Sequence, residues 1–346
     1  MLSAKPLLLA VLSAALFGAA TPASKALLGE LSAFQLAGLL YLGAALGVAP
    51  LAWRQGRFRL PGRGDPRNRL RLLGAVLCGG IAGPVLLLFG LRLAGAASVS
   101  LWLSFELVAT ALLGALFFRE PLGGAAWLGV GAAVAAAAIL ALPGERAGVL
   151  ACLLVLAACL CWGVDNHLTA LIDGITPSES TFWKGLVAGI SNLTLGLAFE
   201  PFAASPLTTL AALCVGALSY GASIVLYISA AQLLGATRAQ VAFSTAPVFG
   251  VALSVAWLRE SVGVAHGVSA GLFAAAIALL MSERHAHRHA HEALRHEHAH
   301  RHDDGHHLHS HEGLPPGTRH SHLHEHERLV HAHPHWPDLH HRHRHD

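Results

Sequence analysis

Residues Leu91 to Leu142 recur 140 positions later, without a gap, as Ala231 to Ser282. Gly95-Ala96 falls on Gly235-Ala236, Ser104 on Ser244, Arg119-Glu120 on Arg259-Glu260, Gly123 on Gly263 and Gly131 on Gly271. Matches among Ala, Leu and Gly carry little weight, because helices rich in them align by chance. A paired Arg-Glu that closes the same apolar run twice carries more. A chain that repeats itself builds one unit twice, and this limits its folds more than any local signal.

The repeated unit is written for a membrane. Ala96 to Phe118 is one apolar run with a single charge, Glu106, and Gly123 to Leu142 is another with none. Runs of about 20 residues at ~1.5 Å per helical residue match a bilayer core of ~30 Å. Backbone groups in lipid must be satisfied internally, so the runs are expected to be helices. Ten such segments can be marked: Pro6 to Ser24, Ala33 to Trp53, Leu70 to Leu91, Ala96 to Phe118, Gly123 to Leu142, Ala147 to Leu168, Ser180 to Phe199, Leu207 to Leu226, Ala236 to Leu258 and Gly263 to Met281. The expected fold is an all-α polytopic membrane protein of two five-helix repeats, residues 1–145 and 146–282, followed by a disordered tail, residues 283–346. Lys5 and the apolar stretch after it imitate a secretory signal, but further spans follow, so the segment is expected to stay as the first helix. The five cysteines lie in apolar runs and read as small buried residues rather than disulfides.

Arg54, Arg57, Arg59, Arg63, Arg67, Arg69 and Arg71 crowd the loop between the second and third segments, opposed only by Asp65. The positive-inside rule puts this loop, and with it both termini, in the cytoplasm; the expected location is the inner membrane. Its arginines are read as a topology signal with lipid contact, not as a nucleic-acid patch. Because five is odd, the second unit enters the membrane inverted relative to the first. Inverted repeats are the build of secondary transporters, in which one half rocks against the other around a midplane site.

In the opening span of each half stand Leu16-Phe17-Gly18 and Cys161-Trp162-Gly163, with Lys25 closing the first. The fourth span runs from Ser104-Phe105-Glu106 to Phe118-Arg119-Glu120, and its copy from Ser244-Thr245-Ala246-Pro247 to Leu258-Arg259-Glu260. These features, over residues 6 to 282, resemble the drug/metabolite transporter superfamily in its EamA-type branch of ten-helix exporters. The resemblance implies gradient-coupled, often outward movement of a small metabolite. It names no substrate. Leu107 stands where that pattern often has proline.

Ionisable groups inside the membrane are costly and are site candidates by default. Glu106 lies ten residues beyond Ala96, about 15 Å deep and near the midplane. There it is either a carboxyl that binds substrate or exchanges a coupling proton, or an interhelical tie. Asp165, Asn166 and His167 stand toward the end of the sixth segment, and Lys184 at similar depth in the seventh, so an Asp165–Lys184 pair is expected; its plain reading is a static ion pair. Asn192 is either a substrate hydrogen-bond partner or polar glue between helices. Lys25 is expected to be solvated at its helix end, though the resemblance keeps it among the substrate or coupling candidates. Gly83-Pro84 and Ala246-Pro247 should kink their helices. Trp102, Phe105, Trp162, Phe182, Trp183 and Phe243 are either pocket lining or packing and interfacial anchors. Arg119-Glu120 and Arg259-Glu260 read as interfacial caps. No paired catalytic constellation occurs at helical spacing, and no enzyme activity or required cofactor is expected.

Twenty-three of the 25 histidines fall in the tail. The candidate metal ligands are His287, His291, His296, His298, His300, His302, His320, His322, His324, His326, His331, His333, His335, His340, His341, His343 and His345. Alternate spacing puts imidazoles on one side of an extended strand, and i, i+4 pairs meet on a helix. Imidazole tracts without cysteine favour zinc, nickel, cobalt or copper(II); a pH-responsive tail is the alternative. Three functions follow: a small-metabolite exporter with a metal-binding tail, a divalent metal exporter fed by that tail, or a membrane-anchored metal buffer. The expected partners are lipid, a small-molecule substrate and divalent metal ions; the sequence does not fix an oligomeric state.

Overall fold

The computed structural model describes residues 4–62, 64–118, 123–172, 175–234 and 243–282, and in the tail 285–291, 294–300, 320–326 and 329–335. Two compact units result, Met1–Glu283 and Arg284–Asp346.

The first unit is helical: α1 (Ala4–Gly18), α2 (Ala20–Leu27), α3 (Ala33–Gly56), α4 (Pro66–Ala75), α5 (Gly83–Leu93), α6 (Ala96–Trp102), α7 (Phe105–Phe118), α8 (Gly124–Ala141), α9 (Glu145–Ala170), α10 (Pro177–Phe199), α11 (Pro206–Val215), α12 (Ser223–Leu234), α13 (Ala246–Ala256) and α14 (Val264–Ser282). Among the described residues, eight helices are long and apolar enough to cross a membrane, and the shorter apolar helices Ala246–Ala256 and Val264–Leu280 stand where spans nine and ten were expected. Large apolar side chains such as Leu46, Leu116, Phe117, Trp127, Leu128 and Leu207 point outward, as lipid contact requires. Cys214 is exposed among them, against expectation, while Cys152 and Cys159 are buried; all five cysteines are free.

The 140-residue offset governs the backbone as well as the sequence. A seven-residue π-helical segment joins α4 to α5 at Val76–Ala82, and another joins α11 to α12 at Gly216–Ala222. Both preceding helices open the same way, with Asp65 or Ser205 as N-cap and a proline in the first turn. Spans two and seven both start with a capping box, Ser32 with Gln35 and Thr176 with Glu179. The expected proline kinks take a different form. Pro84 follows the π segment and Pro247 follows the turn at Ser244-Thr245, each in the first turn of a new helix, where the missing N–H costs nothing.

The halves are interwoven. α9, the first span of the second repeat, packs on α5 and α7 of the first, and α1 packs on α12 and α13 of the second. α3 and α10 run against each other and join these two bundles. Their backbones approach closely because the contact is made of small residues: a methyl group on Gly38 would sit 2.6 Å from the Leu193 nitrogen, and one on Gly185 would sit 2.8 Å from the Tyr41 carbonyl oxygen. Gly38→Leu is therefore expected to destabilise the protein by about 1–3 kcal/mol through overpacking. Thermal unfolding in detergent would show it as a lowered midpoint.

At one face, reached by the ends of α2 and α5, Gln35 Nε2 donates to the Glu200 carbonyl at 2.9 Å and Ser205 N donates to Glu30 Oε2 at 2.9 Å. At the opposite face the arginine-rich loop is pinned to the second repeat: Arg59 N donates to Glu179 Oε1 at 2.7 Å, and Arg71 Nη1 to the Leu171 carbonyl at 2.6 Å. Arg63 lies outside the described residues, as do Arg119-Glu120 and Gly235-Ala236.

The described residues of the tail are four strands. Strands β1 (His285–His291) and β4 (Leu329–His335) pair antiparallel, as do β2 (Leu294–His300) and β3 (His320–His326). A strict two-residue alternation is the period of a strand, which supplies the physical reason. His302, His340, His341, His343 and His345 lie outside the described residues.

Candidate transport site

The polar groups singled out from sequence converge from α7, α9 and α10. The fourth span breaks at Leu103-Ser104, so α7 starts afresh at Phe105 and Glu106 sits in its first turn. Glu106 is half-buried, and its Oε1 accepts from Asn166 Nδ2 of α9 at 3.0 Å. One residue away, Asp165 takes Lys184 Nζ of α10 on Oδ2 at 2.7 Å and Thr169 Oγ1 on Oδ1 at 2.9 Å. The expected ion pair is thus made, and it is buried, with the two side chains 8% and 13% exposed. Among the described residues the Asp165 carboxylate has both a cation and a hydroxyl as partners.

The first π segment completes this cluster. Widening the helix frees carbonyls from the regular ladder, and side chains of three other spans occupy them. Tyr41 of α3 donates its hydroxyl to the Gly79 carbonyl, which also receives Trp162 Nε1 of α9 at 3.1 Å. Asn192 of α10 donates Nδ2 to the Gly80 carbonyl at 3.0 Å. Fully buried, Asn192 keeps its Oδ1 without a hydrogen-bond partner among the described residues.

An aromatic cluster is carried mainly by the other bundle. Phe17 of α1 contacts Tyr220 of the second π segment at 6.0 Å between ring centres and Phe243 at 5.3 Å; Tyr227 of α12 lies 5.0 Å from Phe243. Tyr41 and Tyr220, 5.6 Å apart, connect the two clusters.

Of the residues singled out from sequence, Glu106, Asp165, Asn166, Lys184 and Asn192 belong to this assembly. Lys25 does not. It was expected to be solvated, but its Nζ donates to the Leu91 carbonyl at 2.6 Å and the Ala94 carbonyl at 2.9 Å, because a cation at a helix C-terminus satisfies carbonyls the helix leaves open. His167 is buried and bonds back to the Gly163 carbonyl at 2.7 Å. Trp102 is core, tied to the Ala137 carbonyl at 3.1 Å. Phe182 and Trp183 lie against the arginine-rich loop, Phe182 stacking on Phe58 at 4.3 Å and Trp183 donating to the Phe58 and Arg59 carbonyls. Sequence reasoning passed over Phe17, Tyr41, Tyr220 and Tyr227. A signal existed, since the chain's three tyrosines all lie in spans and all come to this site. Among the described residues no group of three or more His, Cys, Asp or Glu is placed to hold a metal ion.

Comparison with known proteins gives a consistent answer. The model of the EamA-like transporter family matches residues 4–142 and again 149–282. A curated relative from Methanothermobacter thermautotrophicus, described as an uncharacterized transporter, is 31% identical over 216 residues, 58% of this chain; the match spans 61% of the relative's own length. A solved crystal structure superposes with a TM-score of 0.57 over 80% of this chain and 97% of its own, at 17% identity, which speaks for the fold alone.

Proposed function

The chain belongs to the EamA-like transporter family, which makes it a multi-pass membrane transporter of small molecules, and from that premise we propose that it is a secondary transporter exporting a small organic solute by alternating access. The solute binds between the two bundles, against Glu106 and Asn166 on one side and the Phe17, Tyr220, Tyr227 and Phe243 rings on the other. What supports this reading is that a polar cluster with the Glu106 carboxyl in one bundle and an aromatic cluster in the other come together at the Tyr41–Tyr220 contact. Glu106 serves as the binding or proton-coupling carboxyl, and Asn192 Oδ1 is a free acceptor for a buried donor. Both termini face the cytoplasm of the inner membrane, as the arginine-rich loop argues. An organic cargo is preferred to a metal because, among the described residues, no group of three or more His, Cys, Asp or Glu is placed to hold a metal ion.

The tail is read as a metal-binding appendage. In both ladders histidine stands opposite histidine: His285 with His335, His287 with His333 and His289 with His331 in one; His296 with His324, His298 with His322 and His300 with His320 in the other. Cross-strand neighbours on one face of an antiparallel pair lie about 5 Å apart at Cβ. Two such imidazole pairs in succession offer four nitrogen donors, which suits zinc, nickel, cobalt or copper(II). A pure metal buffer is the weaker alternative, because a tether needs one span rather than two five-helix repeats.

Reconstitution into sealed vesicles tests both readings. A panel of organic solutes should include at least one whose flux follows an imposed proton gradient and collapses with a protonophore, while zinc and nickel are not moved. Removal of residues 283–346 should leave that flux in place and abolish multi-equivalent zinc binding by calorimetry. If the shortened chain moves a divalent metal instead, the organic-solute reading fails. Should no solute move under any condition while metal tolerance in cells depends on the tail, the buffer reading replaces it.

A further inference from the structure

At the face reached by α2 and α5, the turn from α5 to α6 is held from both sides by residues of the opposite bundle. Lys25, at the end of α2, bonds the carbonyls of Leu91 and Ala94 on the α5 side of the turn. Glu260, between α13 and α14, takes the amide groups on the α6 side: Oε1 accepts from Ala96 N at 2.7 Å and Oε2 from Ala97 N at 2.8 Å. Opposite charges thus occupy the two ends where helices leave groups unsatisfied, with the cation on carbonyls and the anion on N–H groups.

The local backbone is shaped for this contact. Arg259 adopts φ 57°, a left-handed conformation that a non-glycine residue rarely takes. It turns the chain out of α13 immediately before Glu260, and Glu260 N closes the turn on the Ser254 carbonyl at 3.2 Å. On the receiving side Gly95 leaves the room, since a methyl group there would lie 3.0 Å from Glu260 Oε2.

Both grips cross the seam on which alternating access depends. α5, and α7 which continues α6, pack on α9; α13 packs on α1, which α2 continues. Opening this face means moving the first set away from the second, and neither the Glu260 bond pair nor the Lys25 bond pair survives that. We propose that Glu260, assisted by Lys25, is the latch that holds this face of the transporter closed and is released once per cycle. The inference rests on the alternating-access reading above, and it gives Lys25 and Glu260 a role in positioning rather than in holding substrate.

The test uses the full-length chain in sealed membranes, with Ser100→Cys as reporter. Ser100 is buried on α6, one turn beyond the latched amides and against Gly250 of α13. Its modification by a membrane-impermeant maleimide is followed at the level of the peptide mass, with reagent added from one side at a time. Glu260→Ala should speed modification at least tenfold from the latched face only, with a smaller gain for Glu260→Gln, which keeps one acceptor. Unchanged rates in both variants, or equal acceleration from both sides, overturn the latch. A second arm covers a variant that folds poorly: Ala97→Cys with Glu260→Cys, bridged by a short bifunctional reagent that reduction can cleave, should stop transport until it is cleaved. A bridged carrier that transports at the unbridged rate also overturns the proposal. A chain that moves no solute at all defeats the functional reading, and the labelling arm still decides the latch.

Discussion

Glu106→Gln is expected to lower gradient-driven flux at least about tenfold, a loss of about 1.4 kcal/mol or more, and to remove its dependence on pH. The substitution is conservative in shape. A glutamine oxygen can still accept from Asn166 Nδ2, so the 3.0 Å bond that ties α7 to α9 is preserved in kind. What disappears is the carboxylate's capacity for negative charge, and with it the proposed proton exchange, in the first turn of a helix that restarts there. Stability should change little, and this separates the two readings of the residue. Flux measured in vesicles across external pH is the check, with unfolding in detergent as control. Unaltered flux with unaltered pH dependence would leave Glu106 as an interhelical tie.

Lys184→Met is expected to have the largest effect on stability, about 3–5 kcal/mol, because it strands the Asp165 carboxylate, 8% exposed, with Thr169 as its remaining partner among the described residues. Removing both charges, Asp165→Asn with Lys184→Met, should recover most of that loss, since a buried pair gains little over a neutral pair of similar size. The comparison also assigns the pair a role. A stable double variant that transports normally marks the pair as a static support beside the Glu106–Asn166 contact. If it is stable and inactive, the charges themselves belong to the cycle. A double-mutant cycle on unfolding and a parallel series of fluxes provide both readouts.

The membrane architecture was legible in the chain because lipid imposes it. Runs such as Ala33 to Trp53 and Gly123 to Leu142 have one low-energy solution in a bilayer, and the structure places helices at Ala33–Gly56 and Gly124–Ala141. The 140-residue repeat was legible for the same reason, as were the Asp165–Lys184 pair and Glu106, since a charge at depth must find a partner or a cavity. The π segments at Val76–Ala82 and Gly216–Ala222 were not, because an extra residue in a helical turn leaves the apolar composition unchanged. Nor was the role of the tyrosines, as an aromatic ring is equally at home in core, interface or cavity until its neighbours are known.

By itself the sequence determined the apolar helical spans and the duplication, both of which follow from burial costs along one chain. Only the tertiary structure decided which helices of one repeat embrace those of the other, and so which side chains meet across the seam. Lys25 shows the difference. Read along its helix it is a solvated end; in the fold it grips the carbonyls at 91 and 94 while Glu260, more than two hundred residues later, grips the amides beyond them. Hydrogen bonds between distant segments have no signature in local composition, because the backbone groups that receive them are the same in every residue.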